Sequence, residues 1–137
     1  MGAIIVFCCA VCSFYWHSKF LREFLQRLGY AAVSWDIQAP ADASVPYVRC
    51  DVSSETNVAA ALSDTVAKHG ASPSILINNC GLQYMAPVTE FPLERWNTLL
   101  GIMVTGTFLC SKAVIPGDVV LCAFQSSFSP VTHTPCS

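Results

Sequence analysis

The stretch that most constrains this chain is an apolar strand running straight into side-chain amides and a glycine, Ile75-Leu-Ile-Asn-Asn-Cys-Gly-Leu-Gln-Tyr-Met-Ala-Pro87. Ile75, Leu76 and Ile77 call for a sheet, and Asn78, Asn79, Cys80 and Gly81 follow where that strand must end. Open α/β sheets bind ligands at the carboxyl ends of their strands, and a residue without a Cβ lets the backbone approach a ligand closely there. Strand, polar turn, glycine and then helix predict a parallel strand whose carboxyl edge faces a ligand.

The flanking periodicities fit that reading. Phe20, Leu21, Phe24, Leu25 and Leu28 recur at helical spacing, Gly29 ends the run, and Tyr30 to Asp36 reads as a strand. A loop rich in Pro and Ala, Gln38 to Pro46, leads to a second short strand, Tyr47 to Val52. Ser53 and Ser54 are placed to cap a helix with Val58, Ala61, Leu62, Thr65 and Val66 on one face, and Gly70 stops it. Pro92 opens a further helix to about Val114, apolar nearly all round: Trp96, Leu99, Leu100, Ile102, Met103, Val104, Phe108 and Leu109 exceed one face. Such a helix needs burial on two sides, by the sheet and by another subunit.

The two ends differ in character. Residues 1–17 hold no Asp, Glu, Lys or Arg and fall short of the roughly 20 residues of a membrane-spanning helix. They read as a buried strand, Ile4 to Ala10, plus a turn; a signal or anchor is the alternative, against which stand the missing basic start and the poor cleavage site. From Gly117 to Ser137 the rhythm is lost, with Val119 to Phe124 offering one more strand in an otherwise irregular tail. The expected class is α/β, an incomplete Rossmann-like doubly wound parallel sheet over residues 1–116, followed by the tail 117–137.

Composition narrows the partners. The 137 residues are 53% hydrophobic and 12% charged, where an ordinary domain is about a quarter charged. Seven Lys and Arg, spread singly, and a net charge of −2 exclude nucleic acid as a main partner, and no membrane partner is expected. Of eight cysteines, Cys8 and Cys9 are adjacent, while Cys50, Cys80 and Cys110 fall within apparent strands and helices. That placement suits small buried hydrophobes in a reducing, cytoplasmic compartment. Cys9 and Cys12 have CxxC spacing but only His17 nearby, so no metal site is expected.

Residues 29–116 resemble the short-chain dehydrogenases/reductases. Asn78-Asn79-Cys80-Gly81 stands where that family has Asn-Asn-Ala-Gly, Asp51-Val52 matches its Asp-Val, and Thr105-Gly-Thr-Phe108 matches the end of its interface helix. Gly81 to Trp96 looks particularly like 3-hydroxybutyrate dehydrogenases. The resemblance implies an NAD-dependent oxidoreductase moving hydride between NAD and a small hydroxy acid or ketone. Asp36 would accept the adenosine ribose hydroxyls and favour NAD over NADP. Asp51 would receive the adenine amino group, Val52 would pack on the ring, and Asn79, Cys80 and Gly81 would line a cofactor ribose. Gln83 matches a position that helps hold a substrate carboxylate. Plainer readings stand beside these: an exposed turn for Asp36, a helix-dipole partner for Asp51, structural duty for Asn79, Cys80 and Gly81, and a surface amide for Gln83.

The chain also departs from the family pattern. The glycine-rich loop that cradles pyrophosphate is replaced by Val11 to Ser18, which has no glycine and carries Phe14, Tyr15 and Trp16, so NAD affinity should be severely reduced. Met103 stands at the position of the family's relay Asn, and no Tyr follows Tyr84 nor any Lys Lys112, so the Tyr-x-x-x-Lys pair is missing and no catalytic residue is assigned. Ser126 and Ser127 match the family's Ser-Ser strand end but read as tail residues. Three functions follow as expectations: a shortened dehydrogenase inactive in this form, a non-catalytic module pairing through helix 92–114 with its own kind or a full-length relative, or a truncated product without function.

Overall fold

The computed structural model describes residues 4–8, 23–117 and 121–124. Five strands form one sheet: β1 (Ile4–Cys8), β2 (Ala31–Asp36), β3 (Tyr47–Arg49), β4 (Ile75–Asn78) and β5 (Leu121–Phe124). The order is β3-β2-β1-β4-β5, and every pairing is parallel. The chain starts at the centre, steps outward twice, then crosses back to β4, so the order reverses between β1 and β4. Doubly wound sheets bind ligands at the carboxyl ends of the strands beside such a reversal. The strand expected from Tyr47 to Val52 pairs only through Arg49; Cys50 to Val52 leave the ladder and turn toward the next helix. β5 lies within the Val119 to Phe124 run.

Local chemistry sets the boundaries. Gly29 (φ 85°) and Gly70 (φ 71°) take the left-handed conformation, which side chains with a Cβ resist, and each ends a helical segment. Helix α1 (Glu55–His69) is capped by Ser54, whose hydroxyl accepts from the Asn57 N–H, and Gly70 closes it by donating to the Val66 carbonyl. Its face of Val58, Ala61 and Thr65 is buried.

The core lies between the sheet and the helices. Ile4, Val6, Val33, Trp35, Val48, Val58, Leu76, Leu109 and Val114 form one buried cluster on one side, and Ile5 with Ala32 a smaller one on the other. Trp35 is fully buried, and its indole N–H donates to Thr65 Oγ1 at 2.9 Å, tying β2 to α1. Thr65 in turn donates to the Ala61 carbonyl at 2.8 Å, so neither group is buried without a partner.

The last helix runs from Leu93 to Val114 as α2 (Leu93–Leu100), a π segment (Gly101–Gly106) and α3 (Thr107–Val114). Pro92 is its N-cap rather than its first turn. By length and composition it could cross a membrane, but α3 packs on the sheet side, burying Leu109, Cys110 and Val114. A Lys112 to Glu55 ion pair of 2.7 Å joins α3 to α1 at the surface. The neighbouring ammonium holds the Glu55 carboxyl below its ordinary range.

Candidate functional site

The carboxyl ends of β2 and β3 and the face of the long helix opposite them enclose a cleft of about 430 Å³. One wall is Ile37 and the run Cys50 to Ser53; the other is Asn97, Thr98, Gly101 and Ile102. The second wall has the spacing i, i+1, i+4, i+5, one face of one helix. Its approach depends on a small residue at Gly106, where a Cβ would lie only 2.8 Å from Val52 Cγ2, whereas one on Gly101 would meet the Ser53 Cβ at an ordinary 4.0 Å. The helix therefore rests directly on the Asp51–Ser53 turn.

Asp51 is fixed within that turn. Its Oδ1 accepts from the Ser53 N–H at 2.9 Å and from the Ser53 hydroxyl at 2.6 Å, while Oδ2 makes no hydrogen bond among the described residues. Since Ser54 is the cap of α1, Asp51 sits before the helix rather than in its first turn. Val52 is buried beside it, against the helix.

Asp36 ends β2 next to this wall. Its carbonyl accepts from the Cys50 N–H at 2.9 Å and from the Tyr47 hydroxyl at 3.1 Å, which ties the two strand ends together. Its Oδ1 accepts from the Gln38 N–H at 3.0 Å. Partial burial pushes the carboxyl above its ordinary range, with the Gln38 and Ile37 N–H groups pulling the other way. The same burial, aided by the Asp36 charge, raises the Tyr47 phenol.

Asn79, Cys80 and Gly81 follow β4, each half-buried, at the far side of β1 from Asp36 and Asp51. A Cβ on Gly81 would meet no atom of the described residues within 4 Å, so their packing does not demand the glycine. Asn78 is buried and its Nδ2 donates to Ser111 Oγ at 3.4 Å, anchoring the end of β4 to α3. Gln83 is exposed, with its amide near Met85 Sδ at 3.7 Å. The candidate residues thus form two groups: Asp36, Asp51 and Val52 around the cleft, and Asn79, Cys80 and Gly81 at the end of β4, with Gln83 farther along the loop. The stretch Val11 to Ser18, the Cys9–Cys12 pair and Ser126 and Ser127 lie outside the described residues.

Cys50, Cys80 and Cys110 are free thiols. Burial, reinforced by Cys110, Cys80 and Asp51, pushes Cys50 up to about 12, as expected of an inert core thiol beneath the cleft. Among the described residues no group of His, Cys, Asp and Glu could hold a metal. Met103 lies in the π segment, and its carbonyl is taken by the Thr107 hydroxyl at 2.8 Å.

The sequence does not mark Ile37, Asn97, Thr98 or Gly101 as site residues, and it offers Ile102 only as part of the apolar helix. Its signal was available: Asn97, Thr98 and Gly101 are the polar and small interruptions of an otherwise greasy helix. Helical spacing places all three on a face where an apolar contact is not needed.

Comparison with known proteins bears on this arrangement. The profile of the short chain dehydrogenase family matches residues 26–120. An uncharacterized oxidoreductase of Bacillus subtilis is 36% identical over 74 residues, which is 54% of this chain but 27% of that protein. A D-beta-hydroxybutyrate dehydrogenase of Cupriavidus necator is 40% identical over 43 residues, covering 31% of this chain and 17% of the relative. Among solved structures, a 3-ketoacyl-(acyl-carrier-protein) reductase from Brucella melitensis, complexed with NADH, superposes with a TM-score of 0.70 at 22% identity, over 85% of this chain and 50% of that one. The likeness at that identity shows the fold, and the chain spans about a quarter of the length of the first of these relatives.

Proposed function

Because this chain belongs to the short chain dehydrogenase family, we propose that it carries the nucleotide-binding half of an NAD-linked oxidoreductase site and binds the adenosine end of NAD in the cleft beside β2 and β3. The observation that carries this reading is the convergence on one cleft of a fixed carboxylate, Asp51, and a buried apolar side chain, Val52, with Asp36 at the adjoining strand end. Asp51 Oδ2 is placed to accept from an amino group, Ile37 and Ile102 supply apolar walls for a flat ring, and Asp36 offers a carboxylate for ribose hydroxyls. The volume suits such a ligand, since small-molecule sites run from about 300 to 1,000 Å³. When bound, the nicotinamide would supply the hydride chemistry. Asn79, Cys80 and Gly81 would line its ribose, with Gln83 toward a small hydroxy acid.

Turnover is not part of the proposal for this chain by itself. Proton exchange with a substrate oxygen needs a positioned acid, and the sequence offers no Tyr beyond Tyr84 and no Lys beyond Lys112. We read the likeness to a hydroxybutyrate dehydrogenase as ancestry and propose a cytoplasmic setting, a reading supported by the buried thiols of Cys50 and Cys110. Fluorescence titration of the full chain with NADH should show saturable binding, weakened roughly tenfold by Asp51→Ala, the loss of one hydrogen bond to a charged group. A folded protein with no saturable binding would overturn the reading.

A second reading rests on a separate observation. Trp96, Leu100, Val104 and Phe108 recur every four residues and stand 52%, 39%, 61% and 61% exposed, and none of them lines the cleft. A stripe of that kind marks a contact surface. We propose that a second copy or a longer relative covers it. Size-exclusion chromatography should show oligomers, alone or on mixing with such a relative, that Phe108→Glu dissociates.

A further inference from the structure

The cleft has one polar group that neither the family resemblance nor the arrangement around Asp51 uses. Asn97 lies on its helix wall, exposed, with no side-chain hydrogen bond recorded among the described residues. Its neighbour Thr98 is already committed, donating to the Glu94 carbonyl at 2.9 Å. Asn97 is one helical turn before Gly101 on the same cleft-lining face, and it lines the same opening as Asp51.

A carboxylate only accepts, whereas an amide both donates and accepts. Together they match the edge of a 6-aminopurine, which presents an amino group with two hydrogens beside the ring acceptor N7. Asparagine pairs with that N6/N7 edge through two hydrogen bonds.

We propose that Asn97 is a specificity residue for the adenine base: its Nδ2 donates to purine N7 and its Oδ1 accepts one hydrogen of the 6-amino group, while Asp51 Oδ2 accepts the other. This rests on the nucleotide-binding reading above but adds a contact that Asp51 and Val52 cannot make, because neither offers a donor side chain to N7. Its consequence is selectivity for nucleotides with an intact N7.

The test uses calorimetric titration of the full chain with AMP and with 7-deaza-AMP, which keeps the 6-amino group and lacks N7. Wild type should bind AMP about fivefold more tightly, the effect of one neutral hydrogen bond. Asn97→Ala should bind the two equally, and Lys68→Ala, exposed on α1 away from the cleft, should keep the preference. Alanine favours the helix, and Asn97 is exposed, so the variant should melt like wild type. Equal binding by wild type, or a preference that survives Asn97→Ala, would overturn the role of Asn97 while AMP and NADH binding left the adenosine reading intact. Failure to bind either AMP or NADH would remove both.

Discussion

Replacing Trp35 by alanine is expected to cost about 3–5 kcal/mol, the range for deleting a large buried aromatic. Trp35 is the largest fully buried side chain and joins β2 to α1 through Thr65. Since native domains are stable by only about 5–15 kcal/mol, that loss can approach the whole margin. Urea unfolding followed by circular dichroism should show a large fall in midpoint. Trp35→Phe separates the contributions: the ring volume is largely kept, and Thr65 retains its bond to the Ala61 carbonyl, so about 1 kcal/mol should be lost with the indole N–H. Equal midpoints for Trp35→Ala and wild type would show that the tryptophan is not part of a cooperative core.

Gly106→Val should couple stability to ligand binding. Gly106 is helical, with φ −59°, so a side chain is conformationally allowed there; the obstacle is Val52, whose Cγ2 lies 2.8 Å from where a Cβ would sit. Val52 is buried and β-branched, with little rotamer freedom to yield. For alanine, an overpacking cost of about 1–3 kcal/mol is partly offset by a helix-propensity gain of about 1 kcal/mol over glycine. Valine adds two methyl groups and gains much less propensity, so the net destabilisation should be roughly 1–3 kcal/mol. Because the same displacement moves Val52 at the cleft, NADH affinity should fall in parallel. A variant that loses stability yet binds NADH normally would show that Val52 does not shape the nucleotide seat.

The sequence announced what is locally encoded. Ser54, Gly70 and Gly29 act within a few residues of themselves, and the structure places helix ends at each. The apolar Ile75 to Asn78 strand and the parallel sheet followed from patterns that need no knowledge of distant contacts. The long helix was harder, because residues apolar on all sides give periodicity nothing to choose between. The structure turns Asn97, Thr98 and Gly101 to the cleft, buries Leu109, Cys110 and Val114, and leaves Trp96, Val104 and Phe108 outside. The π segment shifts the register between α2 and α3, a change that pattern counting at a fixed period cannot register. The site residues fall at two places on the sheet edge, with Asp36 and Asn79 separated by the strand β1, a spacing that only the strand order supplies.

The position of β1 has a consequence for how the chain is made. Of the five described strands it is the first to be synthesised and the middle one of their sheet, yet its partner β4 emerges some 70 residues later. At ordinary synthesis rates of about 5–20 residues per second, Ile4, Ile5 and Val6 wait roughly 4–14 s on the ribosome before both their neighbours exist. Pairings so distant in sequence are slow to close, so the central strand of these five spends its early life exposed, and a chaperone that holds apolar nascent chain should find a grip there.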